Sequence, residues 1–203
     1  MTAIIDYGVG NLFSLESSFA AIGENVVVTR DASVLRQADR LVLPGVGAFK
    51  DARQALRDSG LEKTVLELAK EGKPLLGICL GMQMLFDCDY EDGVYEGLGL
   101  IPGEVRPISE TIEAGLKIPQ IGWNALIFRN RSRIFKYIKE GDYVYFVHSY
   151  HATGCGSHTT AVTDYGGLLT ASVEKGNVFG CQFHPEKSGD VGLSILKAFV
   201  EIN

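Results

Sequence analysis

Short uninterrupted apolar runs alternate with stretches of helical spacing through the first half of the chain, and this alternation restricts the possible folds most sharply. Ala3-Ile4-Ile5, Val26-Val27-Val28, Leu41-Val42-Leu43 and Leu75-Leu76-Gly77-Ile78 contain no polar residue to turn towards water. Strands of that kind are buried on both faces, as in a parallel sheet with helices on either side. Between them Leu12, Leu15, Phe19 and Ile22 recur at helical spacing before Gly23. The residues from about Asp51 to Lys70 also read as helix, as do Leu80 to Phe86. The expected fold class is α/β, a doubly wound, mostly parallel sheet with helices on both faces. In such sheets ligands bind at the C-terminal ends of the strands.

The second half has a different texture. Tyr143 to Val147, Thr159 to Thr163, Leu168 to Val173 and Val178 to Phe183 follow one another across short turns such as Tyr165-Gly166-Gly167, and read as added antiparallel strands. Val191, Ile195, Leu196, Phe199 and Val200 mark a closing helix from about Gly189 to Ile202. With 203 residues and no linker or repeat, one domain over 1–203 is expected.

A net charge of −6 supplies no basic surface for a phosphate backbone, so nucleic acid is not an expected partner. The longest apolar stretch, Pro74 to Phe86, is too short to span a bilayer, and Met1 to Asp6 lacks the basic start of a secretory leader. A cytoplasmic, membrane-free protein is expected. Cys79, Cys88, Cys155 and Cys181 form no C-x-x-C pair, so neither a disulfide framework, a metal site nor a cofactor is anticipated.

Gly77-Ile78-Cys79-Leu80-Gly81 sits where a buried strand meets a helix. Small residues on both sides of a nucleophile allow the tight turn that lifts it out of the sheet, and the helix N-terminus behind favours a thiolate, so an exposed, activated Cys79 is expected. Taken alone, Cys79 fits a small buried hydrophobe equally well. Gln182-Phe183-His184-Pro185-Glu186 follows another strand. A thiol nucleophile needs a base, and the base needs a group that fixes its tautomer; His184 and Glu186 fit these two roles. Pro44-Gly45-Val46-Gly47 follows a third strand, and its backbone N–H groups are candidates to join that of Leu80 in holding an oxyanion. Gly8-Val9-Gly10 opens a helix but has Phe13 where a dinucleotide fingerprint needs glycine, so it reads as a turn with Asn11 as N-cap.

Taken with Gly122-Trp123-Asn124, Phe146-Val147-His148-Ser149-Tyr150 and Phe183-His184-Pro185-Glu186-Lys187-Ser188, these segments resemble the class I glutamine amidotransferases. Within that class they resemble the glutaminase subunits of imidazole glycerol phosphate synthases, in order along nearly the whole chain. The resemblance implies a glutaminase in which Cys79 attacks the glutamine carboxamide and His184, oriented by Glu186, protonates the leaving ammonia. It implies glutamine binding by Gln83 and by the backbone around Gly47, Leu80, His148 and Ser149, with Gly45, Val46 and Leu80 at the oxyanion. It also implies a heterodimer with a (β/α)8-barrel cyclase in histidine biosynthesis, met by Asn11, Pro119, Trp123, Asn124, Tyr145 and Lys187, and activation through rearrangement of the Pro44–Gly47 backbone. Trp123 fits a core aromatic as an alternative. The rival functions are a glutaminase feeding another acceptor, such as a sugar-modifying synthase, a stand-alone thiol hydrolase, and a non-catalytic module.

Overall fold

A computed structural model describes residues 1–202. The expectation of a domain over 1–203 includes Asn203, which lies outside the described residues. The first half runs β1 (Thr2–Ile5), α1 (Leu12–Ala21), β2 (Val26–Thr29), α2 (Ala32–Gln37), β3 (Arg40–Leu43), α3 (Phe49–Asp58), α4 (Glu62–Lys70), β4 (Leu75–Ile78) and α5 (Leu80–Gln83). The second half runs β5 (Cys88–Asp89), β6 (Tyr95–Glu96), β7 (Glu104–Pro107), β8 (Gln120–Ala125), β9 (Ile127–Phe128), β10 (Tyr143–His148), β11 (Tyr150–Thr153), β12 (Thr159–Asp164), β13 (Leu168–Lys175), β14 (Val178–Cys181) and α6 (Gly189–Val200).

Eight strands form the main sheet in the order β2-β1-β3-β4-β14-β13-β12-β9. The strands from β2 through β14 are parallel, and β13, β12 and β9 continue the sheet antiparallel. The four residues of β1, β3, β4 and β14 are buried throughout, as strands with helices on both faces require. Two apolar clusters lie on opposite faces, since neighbours in a strand alternate between them: Ala3, Ile5, Leu41 and Leu43 join one, Ile4 and Val42 the other. The α/β, mostly parallel class expected from the sequence is the one found.

Four details differ from the sequence reading. The helix expected over Asp51 to Lys70 is two helices, because Gly60 adopts φ +73 and ends the run. Val178 to Phe183 is not simply an added antiparallel strand: β14 pairs parallel with β4, Gly180 opposite Gly77, and antiparallel with β13 only on its other edge. β10 lies outside the main sheet and pairs with β8 in a two-stranded ribbon. The helix expected from Leu80 to Phe86 is one turn, because Leu98, Leu100 and Gly99 donate their N–H groups to the carbonyls of Met84, Leu85 and Phe86 and draw the chain away.

Candidate active site

β3, β4 and β14 are adjacent parallel strands, so their C-terminal ends bring three distant segments together: the Pro44 loop, Cys79 and His184. Cys79 has φ 55 and ψ −113, one of two non-glycine residues with positive φ among those described. Strain of this kind persists only where the surroundings over-determine it. Here the surroundings are the flanking glycines. A Cβ on Gly77 would lie 2.6 Å from the Gly81 carbonyl oxygen, and a Cβ on Gly81 would lie 1.9 Å from that of Leu43. Glycine at both positions is what allows the turn to close against β3.

Contrary to the expected exposure, Cys79 is only 7% accessible. It lines a cavity of about 380 Å³ bounded by Val46, Gly47, Leu80, Gln83, Glu91, Pro119, Val147, His148, Ser149, Tyr150, His184 and Lys187. With α5 only one turn long, any electrostatic help to the sulfur comes from the free N–H groups of that turn rather than from a long aligned dipole. A larger cavity of about 740 Å³, between Phe128, Arg133 and the end of α6, contains none of the residues singled out from the sequence.

His184 Nδ1 lies 2.7 Å from Glu186 Oε1, and the two side chains are 4% and 2% exposed. Glu186 is therefore not a solvated surface carboxylate. Among the described residues His184 Nε2 is buried without a hydrogen-bond partner. Burial works against a charge on His184, but the neighbouring Cys79 and the Glu186 carboxylate outweigh it and push its pKa up to about 10. The backbone holds this pair from both sides: His184 N–H donates to the Tyr145 carbonyl at 2.9 Å, and Ser188 Oγ donates to the His184 carbonyl at 2.6 Å. The arrangement provides a sulfur nucleophile, an imidazole with one nitrogen free, and a carboxylate on the other nitrogen.

The Pro44 loop is pinned at two points. Tyr7 Oη donates to the Pro44 carbonyl at 2.6 Å, and Phe49 N–H donates to Glu91 Oε2 at 2.6 Å. Between these points Val46 and Gly47 are exposed. A Cβ on Gly45 would meet Gly81 N at 2.6 Å, so glycine is required there by packing against the elbow as well as by any backbone freedom. A bulky residue at Gly45 would therefore disturb the elbow itself and does not isolate a loop rearrangement.

His148 sits between two acceptors, with Nδ1 2.8 Å from the Tyr150 carbonyl and Nε2 2.9 Å from Gln120 Oε1. Burial pushes its pKa down to about 4. Gln83 donates to the Tyr150 carbonyl at 3.1 Å and to Gln182 Oε1 at 3.0 Å. Trp123 is 52% exposed, so it is not a core aromatic. It meets Tyr145 edge-on with centroids 5.9 Å apart, and the Lys187 ammonium lies 5.9 Å from the Tyr145 ring. Asn124 is linked to Gln120 at 2.9 Å, and Asn11 caps α1 by accepting from Ser14 N–H. Phe13 and Ile121, 78% and 61% exposed, add apolar area that the sequence reading did not select. It also missed Glu91 and Gln182, whose roles depend on partners distant in the chain.

Residues 3–202 match the family model described as glutamine amidotransferase class-I. The chain is 46% identical over 203 residues to the imidazole glycerol phosphate synthase subunit HisH of Oceanobacillus iheyensis, covering 100% of this chain and 99% of that protein. It is 48% identical to the subunit of the same name from Lactococcus lactis, covering 98% and 96%, and 47% identical to that of Aquifex aeolicus, covering 98% and 95%. A crystal structure of a glutamine amidotransferase superposes with a TM-score of 0.75 at 19% identity, covering 98% of both chains. The glutaminase domain of a Trypanosoma brucei CTPS does so at 0.67 and 16%, covering 100% and 94%. At these identities the two structures bear on the fold alone.

Proposed function

The chain belongs to the class I glutamine amidotransferases, and from that premise we propose that it is the glutaminase subunit of an imidazole glycerol phosphate synthase. In this reading Cys79 Sγ attacks the carboxamide carbon of glutamine. A C–S bond forms, and the oxyanion is met by Leu80 N–H and by the backbone of Gly45 and Val46. His184 Nε2, which has taken the Cys79 thiol proton, then gives it to the departing ammonia, and the C–N bond breaks to leave a glutamyl thioester. Water attacks the thioester with His184 as base, releasing glutamate and restoring the sulfur. Glu186 holds the imidazole in the tautomer with Nε2 free and stabilises its protonated form. The observation that carries the reading is this buried His184–Glu186 contact of 2.7 Å beside a strained cysteine at a parallel strand end.

The cavity suits the rest of glutamine. Glu91 is the one carboxylate among its lining residues and provides a counter-charge for the α-ammonium group. Among the described residues Gln83 Oε1 accepts no hydrogen bond and is available to a ligand donor, alongside the backbone of Gly47, His148 and Ser149. Ammonia must reach its acceptor without mixing with bulk water, so the acceptor enzyme has to sit over this cavity. Trp123, Tyr145, Lys187, Pro119, Asn124 and Asn11, with the exposed Phe13 and Ile121, form the face we assign to a (β/α)8-barrel cyclase. The cyclase converts the ammonia and a nucleotide-derived intermediate into imidazole glycerol phosphate and aminoimidazole carboxamide ribotide in histidine biosynthesis. We read the chain as one glutaminase domain working in the cytoplasm. No helix among the described residues is long and apolar enough to cross a membrane, and none of their His, Cys, Asp or Glu groups is placed to hold a metal ion.

The test is glutamate release by the purified chain alone and with the barrel cyclase and its nucleotide ligand. Low activity alone that rises strongly with the liganded partner supports the proposal. Full activity without any partner refutes the subunit role and points to an independent hydrolase. Activity that no barrel cyclase stimulates points to a different acceptor.

A further inference from the structure

Cys79 has a second polar neighbour besides His184. The Gln182 side chain is fully buried at the end of β14 and donates from Nε2 to Cys79 Sγ at 3.7 Å. Its Oε1 accepts from Gln83 Nε2 at 3.0 Å, and the same Gln83 NH2 group donates to the Tyr150 carbonyl at 3.1 Å. Because a side-chain amide fits its density of contacts in either sense, the end facing the sulfur has to be derived from the partners. The Tyr150 backbone oxygen can only accept, so Gln83 must turn its NH2 group there. That NH2 group also faces Gln182, which must therefore present its oxygen. Gln182 is left with its own NH2 group towards Cys79. Reversing either amide would bring two donors or two acceptors together where no water can separate them.

A donor aimed at sulfur favours the ionised thiolate over the thiol, since only the anion gains a charge-assisted bond. Besides Gln182 and the neighbouring His184 imidazole, the sulfur meets the Val147 carbonyl at 3.9 Å, an acceptor, which favours the thiol. Gln182 opposes it together with His184, and does so with a neutral donor that keeps its proton throughout the reaction. Both ends of its amide serve residues of the site, and neither end ties β14 to the scaffold, which its ladders with β4 and β13 and the backbone bond from Gln182 N–H to the Ala171 carbonyl at 2.9 Å already do.

We propose that Gln182 is a further catalytic residue, a fixed N–H donor that stabilises the Cys79 thiolate in attack and again as the leaving sulfur when the thioester is hydrolysed, with Gln83 as the residue that fixes its orientation. The proposal rests on Cys79 being the nucleophile, as argued above.

The experiment measures iodoacetamide capture of Cys79 in the full chain as a function of pH, read on the Cys79 peptide by mass spectrometry because Cys88, Cys155 and Cys181 are also free. In Gln182→Met the pH midpoint of capture moves up by about one unit, equivalent to roughly tenfold less thiolate below the midpoint. Glutamate release with the partner falls about tenfold in kcat while KM for glutamine stays near the wild-type value. Gln83→Met leaves Gln182 in place but frees its amide to turn, and moves the midpoint up by less. A midpoint unchanged in folded Gln182→Met overturns the proposal. Should Gln182→Met not fold, a midpoint unchanged in Gln83→Met overturns it. Cys79→Ala separates the two levels: if it is inactive while the Gln182 variant keeps the wild-type midpoint, only this inference falls. If Cys79→Ala still releases glutamate, the nucleophile assignment falls with it.

Discussion

Glu186→Gln keeps the size of the side chain and an oxygen for His184 Nδ1 but removes the charge that faces it at 2.7 Å. With the two side chains 4% and 2% exposed, solvent has little access to replace that charge. Removing one partner of a buried pair costs about 3–5 kcal/mol, and the retained hydrogen bond places this variant near the lower end, about 3 kcal/mol. For a chain of this size 1 kcal/mol corresponds to about 2–4 °C, so Tm falls by roughly 6–12 °C. The deficit depends on pH in a defined sense. The pKa of His184 is raised from 6.5 to about 10, so its contribution is fully present below the unfolded value and is lost as pH rises through the folded one. The gap between wild type and variant is therefore widest near about pH 6 and narrows towards about pH 9.5. Turnover falls by about 10² to 10⁴, the range that a positioned acid–base group supplies. Thermal unfolding at the two pH values and glutamate release at one of them check both statements. A deficit in Tm independent of pH, or turnover within about threefold of wild type, would refute the reasoning that Glu186 holds a charged His184 in place.

The elbow makes two further predictions. Cys79→Gly and Cys79→Ala both lose the sulfur, but only glycine adopts φ 55 without strain, so Cys79→Gly is more stable by about 1 kcal/mol or more in denaturant titration, the reverse of their usual order in ordinary backbone. In Gly81→Ala the new Cβ meets the Leu43 carbonyl at 1.9 Å, where only backbone could yield, so a loss above about 4 kcal/mol and little soluble protein are expected on expression. Asp89 is fully buried with Oδ2 unpartnered among the described residues, and burial raises its pKa to about 6. The fold then favours the protonated form, and stability declines as pH rises from about 4 to 6 and stays reduced above. Asp89→Asn should unfold at a higher temperature than wild type at about pH 8, by an increment on the order of 1–3 kcal/mol that vanishes near pH 4.

The parallel half of the fold was legible because Ile4, Val42 and Leu76 leave no polar face, and a strand without one has few places to go. The Cys79 elbow and the His184-Pro185-Glu186 segment were legible for a related reason: each is a local pattern whose chemistry is complete within a few residues. What the sequence concealed depends on distance along the chain. Whether β14 runs parallel or antiparallel to its neighbours is decided by its insertion beside β4, 103 residues earlier, and no local pattern in Val178–Cys181 records that. Gln182 looks like one more polar residue before the His-Pro-Glu segment until β14 carries it against Cys79 and Gln83. Glu91 likewise acquires its place only when the Phe49 N–H reaches it. The short pieces β5, β6 and β9, two residues each, hold too few side chains to show any period. The break at Ser59-Gly60 was visible as residues, but the apolar spacing of α3 and α4 continues across it and hides the turn.

The central claim is that glutamine is opened by covalent attack from Cys79 under the control of His184 and Glu186. Acid-quenching the chain during turnover of glutamine with its partner, followed by peptide mass spectrometry, tests this most directly. The account predicts one glutamyl group carried on the Cys79 peptide, absent in Cys79→Ala and persisting longer in Glu186→Gln, where the hydrolysing base is misaligned. Sustained glutamate release with no adduct on Cys79, or with the adduct on Cys88, Cys155 or Cys181, would contradict it.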